Sequence, residues 1–159
     1  METDERRMMR HMVATLAYRG GKAVRNAPDG FADFRAAETS RTAVMILAHI
    51  GDLLDWALEQ TEGRQTWHDS EPLPWDDEVT RFFAALDRLD RRFATAKPLG
   101  HPAEKIFQGA IADALTHIGQ IAMLRRLAGS PIRGESYFKA DIQVGRVGRE
   151  QSPPGYEFD

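Results

Sequence analysis

Apolar residues recur at helical spacing in four separate stretches of this chain. In the first, from about Arg6 to Tyr18, Met9, Met12, Val13, Leu16 and Ala17 fall on one face. Asp4 stands where a cap is expected, and Gly20-Gly21 weakens the pattern, although Lys22 to Arg25 can add a turn. Asn26-Ala-Pro-Asp-Gly30 then breaks it. A second helix is predicted from after Phe34 to about Thr61. Ile46, His49, Leu53 and Trp56 form its stripe, widened by Val44, Leu47, Leu54 and Leu58. A breaker-rich loop, Trp67 to Trp75, follows. A third helix opens at Pro74 to Asp77, with proline tolerated in the first turn and acids at the positive end of the dipole. Val79, Phe82, Phe83, Leu86, Leu89 and Phe93 give it an apolar face. The fourth segment starts near Pro102 and runs to Leu127 or Ala128, where Gly129-Ser-Pro131 closes it.

Four amphipathic segments and no convincing strand predict an all-α four-helix bundle over residues 1–130. Residues 131–159 hold too many glycines and prolines for another long helix. They are expected to form an irregular extension packed on the same domain, with a short helical turn within Tyr137 to Ile142. Gly145, Arg146, Gly148 and Arg149 could form a flap over a pocket, and the tail could swap onto a neighbour; surface turns are the plainer alternative.

With 159 residues the chain fits one domain with a sizeable core. A net charge of -3 gives no support to bulk attraction to nucleic acid or acidic membranes. The basic groups Arg6, Arg7 and Arg10, then Arg88, Arg91 and Arg92, then Arg125 and Arg126, read as solvated helix faces. The chain has no cysteine, which excludes disulfides, thiolate ligands and a cysteine nucleophile. No apolar run approaches the roughly 20 residues that span a bilayer, and the charged N-terminus does not resemble a secretory signal. A cytoplasmic protein is expected.

Candidate chemistry comes from polar residues on apolar stripes. Asp113 and His117 are four apart in the fourth helix and share a face with Ile106, Ala110, Ala114, Ile121 and Leu124. His49 is a similar intruder in the second helix. Buried carboxylates and imidazoles are costly unless they pair, bind a metal or line a cavity. Two ligands from one helix and a third from a facing helix would leave an open position for water or substrate. His49, Asp113 and His117 are therefore the candidate metal ligands, in a set that suits zinc, iron, nickel or manganese. The plainer reading is a satisfied core histidine beside an Asp113–His117 ion pair. His11, His68 and His101 read as surface, loop or capping residues. Asp52, one turn from His49, is a fallback ligand or a base. Trp56, Trp67 and Trp75 could line a pocket, though core packing is the first reading of Trp56.

The segments Ile46-Leu-Ala-His-Ile-Gly-Asp-Leu-Leu-Asp-Trp56 and Thr116-His-Ile-Gly-Gln-Ile121 together resemble the DinB/YfiT-like superfamily. His49 matches a histidine of that family's second helix. His117, with Gly119 and Gln120 after it, matches the last histidine of its final long helix. Asp113 falls where the family usually has histidine. The resemblance spans about residues 1–130. It implies a four-helix bundle with a divalent metal near one end, usually zinc or nickel, and a homodimer. It also implies a metal-dependent enzyme, a transferase that activates a low-molecular-weight thiol or a hydrolase. Asp113 would add negative charge and favour harder cations, or else orient a histidine or a water. Gln120 is a candidate to hydrogen-bond a ligand or the substrate. The competing class is a non-enzymatic, stress-related dimeric module that binds a metal or small ligand. Neither reading calls for DNA.

Overall fold

A computed structural model describes residues 2–159. The first helix, α1 (Asp4–Val24), is capped by Thr3 rather than Asp4: the Thr3 hydroxyl accepts from the Arg6 N–H at 3.3 Å. Asp4 and Glu5 occupy the first turn instead, where their charge favours the helix dipole. α1 also runs through Gly20-Gly21 without a break. A Cβ on Gly20 would lie 2.5 Å from Phe82 Cζ, so glycine there serves close approach between helices.

α2 (Ala43–Thr61) begins later than its periodicity suggested. Phe31–Asp33 form a 3-10 turn, and the next residues are irregular. The Ala43 N–H reaches the Phe34 carbonyl at 2.9 Å, and Thr42 caps the helix by accepting from Met45 N–H at 3.4 Å. Such a cap contributes about 1 kcal/mol. α3 (Trp75–Ala94) opens where expected, behind Pro74 and with Asp76, Asp77 and Glu78 in its first turn.

The fourth helix is not uniform. It starts as α4 (Ala103–Ile106), widens into a π-helical turn at Phe107–Ile111 and continues as α5 (Ala112–Leu127). Gly109 in that turn faces Trp56 of α2, whose ring lies 3.6 Å from where a Cβ would project. Ile106, Ala110, Ala114, Ile121 and Leu124 are all buried, as the sequence pattern requires. They meet Leu16, Leu47, Ile50, Phe82, Leu86 and Phe93 in one core.

α1 and α2 each pack against both α3 and α5. The helices are therefore ordered α1, α3, α2, α5 around the bundle, and the α2/α5 face lies opposite the α1/α3 face. Among the described residues, no helix is long and apolar enough to cross a membrane.

The tail is irregular apart from a 3-10 turn at Tyr137–Lys139 and a minimal antiparallel pair, β1 (Gly134–Glu135) with β2 (Glu157–Phe158). Buried Glu135 accepts from the Tyr18 hydroxyl and from Lys22 at 2.6 Å, which pins the tail to α1. Arg149 donates to the Thr80 hydroxyl at 2.8 Å and covers the Phe83 ring. These contacts place the tail on α1 and α3, away from the face that carries His49 and His117. The flap suggested by Gly145, Arg146, Gly148 and Arg149 does not form over that site.

Two of the basic groups also depart from the sequence reading. Arg125 is 4% exposed and donates to the carbonyls of Ala23, Arg25, Asn26 and Ser130, closing the C-terminal end of α1. Arg92, also buried, pairs with Glu62 and donates to the carbonyls of Thr61, Lys97 and Pro98. Neither is a solvated helix face: both satisfy backbone carbonyls that have no helical partner.

Candidate metal centre

α2 and α5 bring His49, Asp113 and His117 together, with one ligand atom of each within 4.8 Å of the others. His49 Nε2 is 3.8 Å from Asp113 Oδ2, and His117 Nε2 is 3.5 Å from Asp113 Oδ1. The imidazoles stand nearly perpendicular, at 88°, with centroids 4.7 Å apart. Both Nε2 atoms thus converge on opposite oxygens of one carboxylate. The cluster lies in the groove between the helices rather than deep in the core. The side chains of His49 and His117 are 16% and 12% exposed, and that of Asp113 is 48% exposed. Residue 113 shares the stripe of Ala110 and Ala114 but sits at its edge.

His117 Nδ1 lies 2.7 Å from Gln120 Oε1. An amide oxygen can only accept, so Nδ1 is the donor in this contact and Nε2 is the nitrogen that faces Asp113. Burial, and then the charge of Arg41, hold His49 below the ordinary histidine value of 6.5. It is neutral at pH 7, the form that ligates metal. Trp67 meets the His49 ring edge to face at 5.6 Å, and Trp56 in turn meets Trp67 at 5.8 Å. The aromatic pair screens one side of the imidazole.

A second cluster of the same residue types lies one turn further along α2. Asp52, Asp55 and His68 also bring ligand atoms within 4.8 Å of one another. His68 Nε2 is 3.2 Å from Asp52 and 3.6 Å from Asp55. Here the carboxylates are already matched. Arg81 bonds both Asp52 and Asp55, Arg88 bonds Asp55 at 2.9 Å, and Ser70 donates to Asp52 through its N–H at 2.9 Å and its hydroxyl at 2.7 Å. Gly51 makes room for this arrangement, since a Cβ there would lie 2.8 Å from the Arg81 guanidinium. Burial alone would raise the Asp52 carboxyl, but Ser70 and Arg81 overcome it and hold the group below 3.8. Asp52 therefore points to α3 and the loop that precedes it, and is not free as a ligand or base beside His49. His68, read from sequence as a plain loop residue, belongs to this network; its loop position gave no signal of the pairing.

The first cluster could hold a divalent cation. At metal–ligand bonds of ~2.0–2.1 Å, tetrahedral neighbours lie about 3.4 Å apart; the imidazoles stand 3.8 and 3.5 Å from opposite oxygens of Asp113, so a cation would draw the three groups slightly together. Asp113 has no arginine or lysine within salt-bridge distance among the described residues; both its contacts are to histidine. Comparisons with family models, with curated proteins and with solved structures give no match.

Proposed function

We propose that the protein is a metal-dependent enzyme whose divalent cation is held by His49, Asp113 and His117. Zinc or nickel is the leading occupant, with iron and manganese as alternatives. The observation that carries this reading is the convergence of two Nε2 atoms on a carboxylate that, among the described residues, has no arginine or lysine partner. The resemblance to DinB/YfiT-like proteins points the same way, through His49, His117 and the four-helix architecture. The reaction proposed is transfer of a low-molecular-weight thiol, or hydrolysis of a small substrate, in a cytoplasmic homodimer.

When bound, a divalent cation supplies Lewis acidity that lowers the pKa of an incoming thiol or water. The chain's own part is positional. Gln120 fixes the His117 tautomer, burial keeps His49 neutral, and the Trp67 edge limits water on the His49 side. With no cysteine in the sequence, any thiolate comes from a co-substrate.

Elemental analysis of protein purified without added metal tests the ligand set. Metal is expected in the wild type and lost in His49→Ala and His117→Ala; unchanged content in both variants would overturn it. The enzymatic claim predicts electrophile-dependent consumption of a thiol that stops on chelation. Hydrolysis is the surviving form if only a water-dependent loss of substrate is seen.

A further inference from the structure

Beside the candidate centre, the start of α2 and the outer side of α5 enclose a groove of about 320 Å³, within the range of small-ligand sites. Ala36, Ile46, Met123, Leu124 and Leu127 give it apolar walls. The polar side chains that reach it are Ser40, Arg41, His117 and Gln120. Arg41 also lines a second cleft, of about 200 Å³, with Met45, His49 and Ser70. It therefore stands between the two spaces, and each space touches one imidazole of the centre.

Arg41 differs from the bundle arginines that hold a carboxylate. Arg10, Arg64, Arg81, Arg88, Arg91 and Arg92 each hold a carboxylate. Arg41 is exposed and, among the described residues, has no carboxylate within salt-bridge distance. Asp69 and Glu71 share the second cleft with it but do not pair with it. The N-terminal end of α2 adds to the positive potential, because its first turn carries no acidic residue. An apolar groove whose unpaired charge is positive is complementary to an amphipathic anion.

We infer that this groove binds an apolar carboxylate, with its hydrocarbon part against Ile46, Leu124 and Leu127 and its carboxylate on Arg41. The inference rests on the metal-centre reading only for its consequence, that such a molecule is delivered beside His49 and His117. Binding itself depends on Arg41 and the apolar walls. Leu127 is 55% exposed and Met123 58%, so these walls are accessible in the single chain.

Calorimetric titration of chelator-stripped protein with octanoate, octanol and octylammonium tests the charge preference and the groove together. Octanoate is expected to bind about tenfold or more tighter than octanol, and octylammonium weakest. Arg41→Gln should erase the preference for octanoate over octanol, Arg41→Lys should keep part of it, and Leu127→Asp should weaken both neutral and anionic probes. The same titration on His49→Ala separates this inference from the metal reading: octanoate binding persists there even if no metal is ever found. Equal affinity for octanoate and octanol, or an unchanged preference in Arg41→Gln, would overturn the proposal. So would failure of every probe to bind. A dimer that dissociates in Leu127→Asp and does not take up octanoate would also overturn it, by assigning the groove to a second copy of the chain.

Discussion

Two clusters built from the same residue types stand one turn apart on α2, and they have opposite charge balance. Around Asp52, Asp55 and His68, the chain supplies its own cations, Arg81 and Arg88. In the cluster of His49, Asp113 and His117, among the described residues no arginine or lysine is within salt-bridge distance of the carboxylate, which faces two imidazoles; burial and the charge of Arg41 favour the neutral form of His49. Proximity of ligand atoms alone does not separate them, since both meet the same 4.8 Å spacing. What separates them is whether the negative charge is already spoken for. A guanidinium seated on Asp52 would have to leave before a metal could enter, whereas the Asp113 carboxylate has no cation to displace.

The largest effect expected from breaking this contrast is at Arg81. Arg81→Ala leaves the carboxylate of Asp52, only 2% exposed, without its main cation. Loss of one partner of such a pair costs roughly 3–5 kcal/mol. Urea denaturation should show a destabilisation of that order, while metal content stays unchanged. A loss under about 1 kcal/mol would mean that Ser70 alone satisfies Asp52.

On the other side of the comparison, Gln120→Leu removes the acceptor that fixes the His117 tautomer. Metal affinity should fall about 10- to 100-fold, as for other groups that orient metal-ligating histidines. Competition with a chromogenic chelator measures it, and the fold should be unaffected because Gln120 is exposed.

pH offers a third distinction. The Asp52 carboxyl lies below 3.8 in the folded chain, so below the ordinary carboxylate range the unfolded chain binds the extra proton. The stabilisation from Asp52 is therefore fully present above that ordinary value. It is lost as pH falls through the folded one. Denaturation of the wild type and Asp52→Asn across this acid window should give a shallower pH slope in the variant; parallel slopes would show that the pair contributes nothing to acid stability.

The smallest expected change is in Asp113→His, which replaces a charged oxygen ligand with a neutral nitrogen. Binding should persist, with selectivity moving from manganese towards zinc and nickel. Metal-competition titrations read the shift directly; loss of all binding would show that the groove has no room for a third ring.

The bundle was legible because periodicity reports burial, and burial decides the helices. Val79, Phe82, Leu86 and Phe93 of α3 are all buried as their spacing implies. Boundaries set by single hydrogen bonds were less so: Thr42 and Thr3 cap where the apolar pattern pointed elsewhere. Gly20 read as a weak point of the first helix because sequence does not show the Phe82 ring that needs its space. The π-helical turn at Phe107–Ile111 had no pattern in the sequence to mark it. At the site, spacing put Asp113 and His117 on one face, and the apolar stripe of α2 singled out His49. The pairing of Asp52 with Arg81 and Ser70, and of His68 with both aspartates, spans separate elements and had no local pattern to reveal it. Arg125 misled for the opposite reason, because a cation beside an apolar helix looks solvated until the open carbonyls of α1 are placed next to it.

The most direct measurement compares matched histidines. Stripped wild type, His117→Ala and His68→Ala are titrated with zinc in calorimetry. The expected result is a drop of about tenfold or more in affinity for His117→Ala and wild-type affinity for His68→Ala. An unchanged affinity in His117→Ala, or an equal loss in both variants, would contradict the assignment of the metal to the cluster whose carboxylate has no arginine or lysine partner among the described residues.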